Sequence, residues 1–151
     1  MDENKLQMLK AQAEKGLTPY QIQLGHSYLT GIDYDGDEFP QNFSEAKYWL
    51  ERAHNKGAFT ATVILGTMYE EGKGMPPDIP KAVELYELAA ERGAYLPCVY
   101  LARIYAQGKG VEQSLQQAVQ WYKKALSFEG EVDNEKEMNE ARGFLQSNKI
   151  E

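Results

Sequence analysis

The chain has 151 residues, a single cysteine and a net charge of −7, enough length for one ordinary domain with a real core and too little cysteine for an internal disulfide framework. No stretch approaches the roughly 20 apolar residues that span a bilayer, and the opening MDENKLQMLK is charged and polar, unlike a secretory leader; a cytoplasmic protein is the expectation. The acidity is local: residues 33–38 (DYDGDE) hold four carboxylates and no base, and residues 129–151 hold seven acids against three bases, a balance that argues against nucleic acid, which selects basic surface.

Taken in chain order, the first element is KLQMLKAQAEKG, a helix ending at Gly16. Then a phrase occurs three times. Leu24-Gly25-x-x-Tyr28-x-x-Gly31 returns as Leu65-Gly66-x-x-Tyr69-x-x-Gly72 and as Leu101-Ala102-x-x-Tyr105-x-x-Gly108, with offsets of 41 and then 36 residues. A fixed period of this size marks a stacked helical array. The first copy predicts helices over about 20–30 and 44–56, the second over about 60–71 and from Pro80 toward Gly93, and the third over 96–107 and 114–127. In the second copy MPPDIP is a turn no helix crosses. Finally, Asn134-x-x-Glu137 reads as a capping box opening a helix to about Ser147, with Met138, Ala141, Phe144 and Leu145 as its apolar stripe. The total is about eight helices.

The connection GIDYDGDEFPQNF in the first copy is five residues longer than its equivalent in the second, after which Ala46, Ala82 and Ala118 fall into a strict 36-residue register. All the irregularity of the first copy therefore sits in one acidic loop. Gly16, Gly57 and Gly93 follow basic helix ends and read as left-handed caps. Tyr28, Tyr69, Tyr105, Trp49 and Trp121 read as structural bulk around the small residues Gly25, Gly66 and Ala102.

The pattern L-G-x-x-Y-x-x-G, a Gly/Pro loop, A-x-x-W/L-Y and A-x-x-G resembles the Sel1-like repeat, a relative of the tetratricopeptide repeat, over about residues 16–130. Departures are Tyr20 and Pro97 where that family favours alanine, and Glu129 where a closing glycine is expected. The resemblance implies an all-α, right-handed superhelical solenoid: a capping helix over 1–16, hairpins over 17–57, 58–93 and 94–129, and a second capping helix over 130–151. It implies a protein-interaction scaffold in a single domain. The paired cysteines of the disulfide-rich branch of the family, which resembles penicillin-binding proteins, are absent, so that activity is not carried over.

Catalysis finds little support. The two histidines, His26 and His54, lie in no H-E-x-x-H or similar arrangement, Cys98 aligns with Thr62 and reads as a buried inert thiol, and GKGM and GKGV are inter-helix turns rather than phosphate loops. A hydrolase is the rival of another class. Asp33-x-Asp35-x-Asp37 has the spacing that opens a calcium loop, but Glu38 and Ser44 stand where glycine and a bidentate glutamate are needed, so no metal and no cofactor is expected. By analogy with tetratricopeptide arrays, Ile22, His26, Val63, Thr67, Val99 and Arg103 project into a concave groove, flanked by Glu70 and Gln107. That mixture fits a peptide or helix. The acids Asp33, Asp35, Asp37 and Glu38 add a field for a basic partner. The expectation is one protein partner for a chain that is a monomer when free, with an immunity protein neutralising a basic bacterial toxin as the narrower alternative and a generic adaptor as the broader one.

Overall fold

A computed structural model describes residues 2–131 and 133–148. Among these the chain is all α-helix, in eight helices. They fall into two compact units, Met1–Pro77 and Asp78–Glu151. The division lies inside the turn that follows the second copy of the repeated phrase.

The first unit holds α1 (Glu3–Glu14), α2 (Thr18–Thr30), α3 (Phe43–Asn55) and α4 (Phe59–Glu71). Each start has a local cause. Asp2 caps α1 by accepting from the Asn4 amide at 3.0 Å, Pro19 occupies the first turn of α2, and Asn42 caps α3 by accepting from the Glu45 amide at 3.1 Å. The core is the expected apolar face: Leu9, Ala13, Leu24, Tyr28, Ala46, Trp49, Leu50, Ala61, Leu65 and Met68 are all buried. Two polar pins join neighbours within it. Gln21 Nε2 donates to the Ala13 carbonyl at 3.0 Å, tying α2 to α1, and His54 Nδ1 lies 2.7 Å from Thr62 Oγ1, tying α3 to α4. Gly25 is needed for close approach, because a Cβ there would lie 2.5 Å from Leu50 Cγ.

The second unit holds α5 (Ile79–Glu91), α6 (Leu96–Gln107), α7 (Leu115–Leu126) and α8 (Glu135–Ser147). Asp78 and Ser114 cap α5 and α7 by accepting from the amides of Lys81 and Gln117 at 3.0 and 3.1 Å. Pro97, in the first turn of α6, is accommodated as proline there should be. Cys98, Val99 and Ala102 of α6, Tyr122 and Ala125 of α7, and Met138 and Ala141 of α8 form one buried cluster.

Several expectations hold and some need correction. Gly16, Gly57 and Gly93 carry φ values of 89°, 87° and 95°, the left-handed conformation expected of them. The capping box at Asn134 does not form: its side chain makes no cap hydrogen bond, its φ is −133°, and it is buried instead of reaching an amide of the first turn. Tyr28 and Trp49 are core residues, whereas Tyr69, Tyr105 and Trp121 are half-buried. Two of these three lie beside cations: the ammonium of Lys47 sits 5.7 Å from the Tyr69 ring and that of Lys124 sits 5.3 Å from Trp121.

Candidate interaction surface

The acidic insertion is a built structure. Ile32 and Glu38 pair as a single antiparallel bridge, the Phe39 amide donates to the Gly31 carbonyl at 2.8 Å, and the Asp33 amide donates to the Asp37 carbonyl at 2.9 Å. Asp33 is its pivot. One carboxylate oxygen accepts from the amides of Asp35 (3.0 Å) and Asp37 (2.9 Å), and the other accepts from the ammonium of Lys5 at 2.7 Å. Asp35 also pairs with Lys5. The base of the loop is fastened by Phe39, buried edge-on against Tyr28 at 4.8 Å, and by Gln41 Nε2, which donates to the Leu29 carbonyl at 2.9 Å.

This geometry sets Asp33 apart from the other acids of the loop. Its side chain is wholly buried and both oxygens are committed, so it organises the loop. The ammonium of Lys5 holds its carboxyl below the usual carboxylate range, with the two loop amides reinforcing the effect against burial. Asp33 and Asp35 in turn raise the pKa of Lys5. Asp35, Asp37 and Glu38 are exposed. The calcium-like spacing does not converge, because the Asp33 oxygens are spent on two amides and an ammonium.

The loop also reaches the helix that bears the first groove residues. Tyr34, itself 58% exposed, lies edge-on to the His26 ring with centroids 5.5 Å apart. His26 is half-buried, and its Nδ1 is buried with no hydrogen-bond partner. Ile22 is half-buried one turn earlier on α2, and Ile32 is half exposed beside Tyr34. Thus His26 on α2 and the acidic loop share a surface. Val63, Thr67 and Glu70 on α4 are half-buried, and Thr67 Oγ1 donates back to the Ile64 carbonyl at 2.7 Å.

In the second unit the expected groove residues behave differently. Val99 is fully buried, in one cluster with Ala90 of α5, Tyr122 and Ala125 of α7, and Met138 and Ala141 of α8. Arg103 is half-buried and bidentate to Glu140 of α8, Nε to Oε1 at 2.8 Å and Nη2 to Oε2 at 2.6 Å, and Tyr122 donates to the same carboxylate at 2.9 Å. Gln107 is exposed at the end of α6. Sequence reasoning missed Tyr34, Ile32, Lys5 and Glu140. Tyr34 was visible as the one aromatic inside the acid run; Lys5 and Glu140 act across 28 and 37 residues, a separation that carries no local signal.

Repeated helix pairs with glycine caps and no strand among the described residues define a helical-repeat protein. The chain belongs to the Sel1 repeat family, whose pattern matches residues 18–57, 61–93 and 98–127. Proteins of this family are generally protein-interaction modules. Among solved structures, it resembles a Sel1 repeat protein from Oxalobacter formigenes at 33% identity and a TM-score of 0.70, over 92% of this chain and 98% of that one. It also resembles a protective antigen of uropathogenic Escherichia coli with an SLR fold, at 32% identity and a TM-score of 0.73, over 81% of this chain. The chain spans only 25% of that protein's length. Helicobacter pylori cysteine-rich protein B shares the fold at 24% identity and a TM-score of 0.63, over 91% of this chain and 94% of that one. No curated protein sequence matches the chain. No helix among the described residues is long and apolar enough to cross a membrane.

Proposed function

We propose that this chain is a non-catalytic module that binds one basic protein through the surface made by the acidic loop and α2. The observation that carries the reading is the insertion itself: a five-residue excess over the repeat, held rigid by Asp33, that seats Tyr34 on His26 and leaves Asp35, Asp37 and Glu38 toward solvent. An aromatic anchor beside a charged rim is the anatomy of a protein interface. The acids speed encounter with a basic surface and fix its orientation. Ile22 and His26 extend the contact along α2, while Val63, Thr67 and Glu70 on α4 belong to the wider groove reading of the same unit.

The absence of catalysis is supported by the state of the candidate nucleophile and base. Cys98 is fully buried and its thiol is pushed up to about 11 by that burial, so a thiolate is disfavoured. His54 is engaged with Thr62 on the structural seam between α3 and α4.

The test is affinity capture from the native organism, identification by mass spectrometry, and titration of the captured partner. Reversing Asp35, Asp37 and Glu38 to lysine is expected to weaken binding by about tenfold or more and to flatten its salt dependence, and Tyr34→Ala to weaken it further. Binding unchanged by both substitutions would overturn the reading.

A further inference from the structure

The pairing of Arg103 with Glu140 has the form of a ligand contact. The surface beneath α8 is apolar, built by Cys98, Val99 and Ala102 of α6 with Tyr122 and Ala125 of α7, and it carries one fixed cation, Arg103, with the Tyr122 hydroxyl beside it. Such a groove selects a helix with an apolar stripe and one carboxylate. α8 meets that description: Met138 and Ala141 enter the cluster, Phe144 lies on Tyr122 at 4.8 Å, and Glu140 delivers its carboxylate to Arg103 and Tyr122.

α8 is also the weaker side of this contact. It buries only Met138 and Ala141, against six residues on α6 and four on α7. Its N-cap side chain makes no cap bond, the Asn134 amide nitrogen is buried without a partner, and Gly143 is a poor helix former in the helix interior with no atom near the position of a Cβ. Each feature lowers the cost of local opening.

We propose that α8 is an intramolecular occupant of a helix-binding groove on α6 and α7, and that the groove's alternative occupant is an acidic amphipathic helix of a partner, with a carboxylate at the place of Glu140. The proposal rests on the reading of the chain as a protein-binding module and adds a second site within it, opposite in charge preference to the loop of the first unit. Arg103 is then a recognition residue that the chain keeps paired with Glu140 until a competing helix displaces α8.

The probe is a fluorescein-labelled peptide of residues 133–148 of this chain, read by anisotropy. In the full chain carrying Met138→Asp and Ala141→Asp, the chain's own α8 no longer docks and the peptide is expected to bind saturably; to the wild-type chain it should bind at least about tenfold more weakly. A peptide with Glu140→Gln should lose about two- to fivefold in affinity for the double variant. No saturable binding to a double variant that retains its helical circular dichroism would overturn the proposal. Hydrogen exchange on the wild-type chain tests the same idea without any substitution. The amides of α8 should exchange as a unit at least about tenfold faster than those of α6 and α7, and equal protection would overturn it. Peptide binding that survives charge reversal at Asp35, Asp37 and Glu38 supports the groove even if the loop reading fails.

Discussion

Gly25 and Leu50 are in contact so close that a Cβ on the glycine would stand 2.5 Å from Leu50 Cγ and 2.8 Å from Cδ2. The helices α2 and α3 can approach this nearly only because position 25 has no side chain. Gly25→Leu should therefore overpack the seam and cost about 1–3 kcal/mol, measured by urea denaturation. Gly143 is the contrasting case, a glycine inside α8 with nothing within 4 Å of its Cβ position. Gly143→Ala should stabilise the chain by about 0.5–1 kcal/mol through helix propensity alone.

Asp33 has a structural task that the neighbouring acids lack. Asp33→Ala removes the acceptor of the Asp35 and Asp37 amides and the partner of Lys5, so those two amides should lose hydrogen-exchange protection and the melting temperature should fall. Asp37→Ala should leave both measurements close to wild type, because its side chain is exposed.

Glu140 gives a pH dependence with a definite sign. Arg103 first, and Tyr122 with it, hold its carboxyl below the ordinary glutamate value, against the effect of burial, which is about 4.3 in an unfolded chain. A depressed folded-state pKa means stability that is present above the unfolded value and lost as pH falls through the folded one. Between pH 7 and pH 5 the contribution should be constant, and below about pH 4 it should fade. For a pair this exposed the size is about 0.5–1 kcal/mol. Glu140→Gln should lower stability at pH 7 by that amount and remove this part of the acid dependence, as read from denaturation midpoints at several pH values.

Cys98 supplies a probe of opening in the second unit. With the thiol fully buried, within 3.6 Å of the Ala94 carbonyl, and its pKa pushed up to about 11, a thiol reagent at pH 8 should label the native chain only as fast as this cluster opens. Adding denaturant below the transition should accelerate labelling, and Val99→Ala, which loosens the same cluster, should do so without denaturant. Labelling at the rate of an exposed thiol would contradict that burial.

The fold was written in features that act over a few residues. Helical spacing of apolar positions, glycine after each basic helix end, proline in first turns and Asp78, Asn42 and Ser114 before helix starts each have a local cause, and the structure reproduces them. Asn134 shows the limit of the same logic. Its cap spacing is correct, yet burial of the side chain overrides it.

The candidate surface was legible only in outline. The acid run at 33–38 announced itself by its composition and by its excess over the repeat, but four carboxylates within six residues carry no statement of which one turns inward. That choice depends on where the ammonium of Lys5 arrives and on which oxygen meets the amides of Asp35 and Asp37. Val99 and Arg103 were placed on a groove by their register within one helix. Their fate was set by other helices, since Glu140 of α8 pairs with Arg103 and Val99 is closed into a cluster with residues of α5, α7 and α8. Repetition along a chain therefore determined the helices and their family, because both arise from local spacing. Tertiary structure alone decided which polar groups turn inward and which face solvent, because burial and charge pairing are settled by residues tens of positions away.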